Sequence, residues 1–135
     1  ERREDGTDIR VISGTTSQGT EGVVKNDFVR PTYLDVTLPA GSSFEQAVDP
    51  SDNAFLFVID GEPETGARKT LLGRRTLGIL GEGSRITVNA GQRAARFLLV
   101  SAQPLNEPVA RGGPFVMNTQ EEIIQAFEDY RRNRF

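Results

Sequence analysis

The chain contains no histidine, no cysteine and no tryptophan, and a single methionine, in 135 residues. Without cysteine there are no disulfides, no thiolate nucleophiles and no thiolate metal sites. Without histidine there is no imidazole, the usual ligand of iron, copper and zinc and the usual general base near neutral pH. Ser-His-Asp and Cys-His catalysis therefore cannot be assembled from these residues. What remains open is carboxylate chemistry, a lysine nucleophile (Lys25 or Lys69) or an all-oxygen cation site. A basic excess is lacking too: the net charge is −3, which argues against a general nucleic-acid binder. No apolar run approaches the roughly 18 residues of a membrane span. The first eight residues are charged and carry no apolar stretch, so no signal peptide is expected there. We expect a cytoplasmic protein, or a nuclear one in a eukaryote.

What is present suits one soluble domain. Hydrophobic residues make up 36%, with 14 glycines. A chain of this length buries roughly two-thirds of its unfolded surface and needs no metal or disulfide to fold. Residues 1–7 read as a charged, solvated lead-in. Short strands are predicted over 8–13, 32–38, 43–48, 54–59, 76–80, 85–88 and 94–100, with turn residues between them. The clearest is 32–38, where Leu34, Val36 and Leu38 alternate with Tyr33, Asp35 and Thr37. Residues 54–59 are apolar on both sides, the pattern of a central strand. Residues 62–74 form a polar connection. The set predicts an all-β sandwich or barrel over 8–118. Thr119 and Glu122 have capping-box spacing, and Ile123, Phe127 and Tyr130 form one stripe beyond them. A C-terminal helix over about 120–133, in a segment 119–135 packed on the same domain, is predicted.

Two local motifs fail on their chemistry, and a third lacks what base stacking needs. Gly14-Thr-Thr-Ser-Gln-Gly19-Thr20 looks like half of a phosphate loop, but Thr20 stands where the lysine belongs and no helix pattern follows. Glu45, Asp49 and Asp52 lack the alternating ligands, mid-loop glycine and closing glutamate of a calcium loop. Arg68, Lys69, Arg74 and Arg75 make a basic patch suited to an anion or a partner protein. No aromatic residue lies among them to stack on a base.

A fourth pattern resembles the cupin family, small β-barrels whose two motifs space turn glycines around three histidines and a glutamate that bind metal. From Gly41, five residues lead to Ala47, Val48 and Asp49; four more lead to Ala54, and six more to Gly61. From Gly83, five residues lead to Asn89, Ala90 and Gly91; two more lead to Ala94, and three more to Leu98. The glycine frame is kept, while the ligand positions Ala47, Asp49, Ala54 and Ala94 have lost every donor but Asp49. The resemblance implies a degenerate, metal-free cupin: a double-stranded β-sandwich (jelly roll) whose interior is closed by side chains, with one C-terminal α-helix.

Longer words resemble the C-terminal half of the pirin family. They include Thr32-Tyr-Leu-Asp-Val-Thr-Leu-Pro-Ala-Gly41, Asn53-Ala-Phe-Leu-Phe-Val58 and Ala95-Arg-Phe-Leu-Leu-Val100. Gln103-Pro-Leu-Asn-Glu-Pro-Val109, Gly113-Pro-Phe-Val-Met-Asn-Thr119 and the helix from Glu121 to Tyr130 extend them. Pirins resemble bicupins. The resemblance implies Fe(II) in an N-terminal cupin domain, quercetin 2,3-dioxygenase activity or transcription-cofactor roles, and a C-terminal cupin without metal. None of the iron ligands carries over to a position here. The chain is then a supporting half, with no catalytic residue or cofactor of its own, and its expected partner is the N-terminal cupin domain of the same protein. Self-association is the alternative cover for an exposed junction. Leu105, Asn106, Glu107, Phe115 and Met117 are the interface candidates. A second reading is a protein-interaction module acting through the basic loop 68–75 or the junction face.

Overall fold

The computed structural model describes residues 1–134 and divides into two compact units, residues 1–104 and the residues from Leu105 onward. The first unit contains β1 (Asp8–Ser13), β2 (Thr32–Leu38), β3 (Ser43–Ala47), β4 (Asn53–Asp60), β5 (Glu64–Thr65), β6 (Thr70–Leu71), β7 (Leu77–Ile79), β8 (Arg85–Asn89) and β9 (Ala95–Ala102). Their pairings are antiparallel. A large sheet runs β1-β2-β9-β4-β7 and a small sheet β3-β8-β5-β6. This is the predicted all-β sandwich.

The core lies between the sheets. The large sheet contributes Leu34, Val36, Leu56, Val58, Phe97 and Leu99; the small sheet contributes Phe44, Ile86 and Val88. Each follows from period-2 alternation, which sends every second side chain inward. Phe44 and Phe97 meet edge to face across the interior, their centroids 5.6 Å apart, and both are fully buried. Burying such a ring stabilises the fold by roughly 1.5–3 kcal/mol.

Three segments differ from what their composition suggested. Residues 1–7 are not a solvated lead-in. Ile9 N donates to Glu1 O, Thr7 is fully buried, and the Glu1 and Arg3 side chains pair at 2.8 Å with little exposure. Residues 62–74 are ordered as well: β5 pairs with both β6 and β8, Pro63 is fully buried and Leu72 enters the core. Their charged residues point to water while three apolar or neutral ones close the sandwich, so average polarity concealed the strands. Third, only two of the four frame glycines need to be glycine. Gly41 and Gly61 have φ of +75° and +82°, and a Cβ on Gly61 would lie 2.5 Å from Ala94 O. Gly83 and Gly91 have ordinary φ and open space around them.

The second unit contains β10 (Ala110–Gly112), β11 (Phe115–Met117) and α1 (Gln120–Arg131). The capping box forms as spaced: Glu122 N donates to the Thr119 hydroxyl, and Thr119 N donates to the Glu122 carboxylate. Glu121 and Glu122 sit at the positive end of the helix and Arg131 at the negative end. The helix rests on the β10–β11 hairpin. There Gly112 leaves room for Ile123, and Phe115 meets Phe127 edge to face at 5.1 Å.

Candidate functional site

The ligand positions of the cupin frame do not converge. Ala54 alone faces the interior, 8% exposed; Ala47, Asp49 and Ala94 are exposed. Leu98 lies half-buried on the outward side of β9. The reason is the pleat. In β3 the inward residues are Phe44 and Gln46, and in β9 they are Ala95, Phe97 and Leu99. The glycine spacing places 47 and 94 one residue away from these, and a one-residue step moves a side chain to the opposite face. Asp49 is also occupied, accepting from the Ser51 amide and hydroxyl at 2.9 and 2.6 Å. Those two bonds hold its carboxyl below the usual range.

A cavity of about 290 Å³ opens at the end of the sandwich where Ala54 sits. Val48, Ala54, Leu80 and Ile86 give it apolar walls, and Asp52, Glu82 and Arg85 give it polar ones. Asp52 accepts from the buried Ser101 hydroxyl at 3.2 Å, and Arg85 pairs at 3.6 Å with Glu45. Glu45, Asp49 and Asp52, the acidic run of the sequence, thus face three different partners. Among the described residues, no three acidic, histidine or cysteine side chains group closely enough to hold a metal ion. The residues at this mouth do not fit iron, which needs several nitrogen or carboxylate donors aimed at one point.

Buried polarity gathers elsewhere, around Gln46, which is 2% exposed. Its amide nitrogen donates to Thr15 O at 3.1 Å and Ala47 O at 2.9 Å, and its carbonyl accepts from Ser17 N at 3.2 Å. The loop over residues 14–22 is pinned to β3 by these bonds, with Thr16 buried and Gln18, Thr20 and Glu21 exposed. Beside it, the Thr16 hydroxyl donates to Glu1, and the Arg3 guanidinium stacks 5.2 Å from the centre of the Phe44 ring. Burial pushes the Glu1 carboxyl up, but hydrogen bonds from Thr16, Arg3 and Thr20 and the Arg3 charge outweigh it and hold the group low. Sequence reasoning missed this cluster. The only signal was a glutamine at an inward position of an alternating strand.

The basic patch is divided between two turns. Arg68 and Lys69 lie in the β5–β6 turn, Arg74 and Arg75 in the turn before β7, and Arg74 pairs with Asp60 at 3.2 Å. All four are exposed. Of the junction candidates, Leu105, Asn106 and Glu107 are exposed, with Glu107 accepting from Asn118. Phe115 and Met117 are half-buried within the second unit, where Phe115 packs on Phe127 and Tyr130.

Residues 33–135 match the family described as the Pirin C-terminal cupin domain. A pirin-like protein of Caulobacter vibrioides is 42% identical over 135 residues, covering all of this chain and 48% of that protein. Human pirin is 37% identical over 134 residues, covering 95% of this chain and 44% of its own length. A crystal structure of quercetin 2,3-dioxygenase from Acinetobacter baumannii superimposes with a TM-score of 0.89 at 32% identity, over all of this chain and 46% of that one. The chain thus spans about half the length of the relatives it matches.

Proposed function

Given that the chain belongs to the pirin family, as its C-terminal cupin domain, we propose that it is the supporting, non-catalytic half of a two-barrel protein. The other half would carry Fe(II) and the dioxygenase chemistry, with a flavonol such as quercetin as substrate. One observation carries this reading: the mouth of the sandwich at Ala54 has apolar walls, and Asp52 beside it is engaged by the Ser101 hydroxyl. Coverage of under half of each relative supports the rest, since the matched half brings no imidazole to any site.

The division of labour has a physical basis. A dioxygenase centre needs donors held rigidly around one point. A second barrel fills its own interior and offers its surface to fix the position of the first. Elemental analysis and oxygen uptake test this. The chain alone is expected to purify without stoichiometric iron and to consume no oxygen with quercetin. One iron per chain, or turnover, would overturn the reading.

A further inference from the structure

Steps of two residues along a strand stay on one face, so the inward pairs of β4 and β9 can be followed from one end of the sandwich to the other. Val58 lies opposite Phe97, Leu56 opposite Leu99, and Ala54 opposite Ser101. All six are buried. Side-chain bulk falls along this series, from an aromatic ring to a methyl and a hydroxymethyl. On the small sheet the same direction runs from Phe44, opposite Val88, to Gln46, opposite Ile86. The Gln46 amide is committed to the 14–22 loop. Too little side chain therefore reaches the Ala54 end to fill it, and the cavity of about 290 Å³ opens there.

Nothing bulky stands in the turns around it. Gly66 and Ala67, in the β5–β6 turn, and Gly81 and Gly83, between β7 and β8, line the opening. Val48 and Leu80, half-buried against the core, continue the apolar wall begun by Ala54 and Ile86. Small-molecule sites run from about 300 to 1,000 Å³ and combine apolar walls with a few polar groups. This cavity lies at the lower edge of that range, which suits one ring or a short chain. Its charged lining is Asp52, Glu82 and Arg85. Arg85 already has a carboxylate outside the cavity, Glu45 at 3.6 Å. One Asp52 oxygen accepts from the Ser101 hydroxyl, a neutral donor that leaves the negative charge in place. Glu82 has no hydrogen bond or ion pair among the described residues. The lining is thus net negative, and apolar walls strengthen the field of its charges.

We propose that this mouth binds a small organic cation, an ammonium group carried on an apolar body of about one ring. The body lies against Val48, Ala54, Leu80 and Ile86, and the ammonium sits among the carboxylates of the opening. The apolar walls favour such a ligand over a bare ion, because only a ligand with apolar surface gains from contact with them. The balance of two acids against one shared arginine favours a cation over an anion. This site goes beyond the supporting role argued above and does not depend on it.

Three probes with the same ring separate charge from shape: benzylamine, benzyl alcohol and benzoate, each titrated at neutral pH into the nitrogen-15-labelled chain and followed by amide NMR shifts. Benzylamine is expected to give saturable shifts confined to residues 48–54, 65–67 and 80–87, with roughly millimolar affinity. It should bind about threefold to fivefold more tightly than benzyl alcohol, the gain of an exposed ion pair, with benzoate weakest. The double variant Asp52→Asn, Glu82→Gln should remove that advantage and leave benzyl alcohol unchanged. Ala54→Leu should abolish binding of all three by filling the cavity; Ala67→Leu, at an exposed turn position, replaces it if A54L does not fold. Equal binding of benzylamine and benzyl alcohol, or tighter binding of benzoate, overturns the proposal. So does an advantage of benzylamine that survives the double variant, since the acids then do not confer it. Shifts scattered over the chain, no saturable binding, or binding unaltered in the filled variant overturns the site itself.

Discussion

Phe44 of the small sheet and Phe97 of the large sheet meet across one interior, and in that respect the two sheets are alike. Turned outward they differ. The small sheet presents Glu45, Arg85 and Thr87, while the large sheet presents Phe55, Phe57, Leu98 and Val100. Folding the sandwich requires only the inner faces, so the outer faces record what each sheet meets afterwards. The first face is polar and open to water; the second is apolar and half-buried, with Leu77 and Ile79 exposed at its edge.

The comparison can be broken most severely from the shared interior. Phe97→Ala removes the ring that joins the sheets and is expected to cost about 3–5 kcal/mol, read as a fall in the urea midpoint at constant slope. A loss under about 1 kcal/mol would mean that the sheets are not held by this contact.

A smaller effect sharpens the contrast from the small-sheet side. Gln46→Leu keeps bulk but strands Ser17 N and Thr15 O, and should cost about 1–3 kcal/mol. Hydrogen exchange should speed up first in residues 14–22, ahead of β2 and β9. Uniform acceleration across the unit would show that the amide holds more than this loop.

The smallest effect belongs to the rim of the large sheet. Hydrogen bonds from Arg96 hold the Asp35 carboxyl below its ordinary value, with the Arg96 and Arg10 charges adding and burial opposing. A lowered carboxylate contributes stability that is fully present above its unfolded pKa of about 4 and is lost as the pH falls through the lower folded value. Asp35→Asn should therefore cost under about 1 kcal/mol at neutral pH, because Arg96 is half exposed and water screens the pair. The difference from the parent should vanish in acid. An offset that persists unchanged to pH 2 would assign the loss to packing.

Much of this architecture was legible in the chain. The alternation of β2 and the capping box at Thr119 appear where they were predicted, because both depend on contacts within a few residues. The short strands β5 and β6 were not legible, since two residues cannot show a period and their neighbours are charged. The candidate site was read least well. Glycine spacing located the turns, yet Ala47 and Ala94 point outward, because the pleat is counted from cross-strand pairing and not from the nearest glycine.

The sequence by itself decided what chemistry is absent: without imidazole or thiolate, no arrangement of these residues can build the sites those groups make. It also decided the alternation that makes a sandwich. Only the tertiary structure decided that Phe55, Phe57, Leu98 and Val100 lie together on the same outward face. Their adjacency comes from β9 pairing between β2 and β4 across long stretches of chain, and no local pattern carries that register.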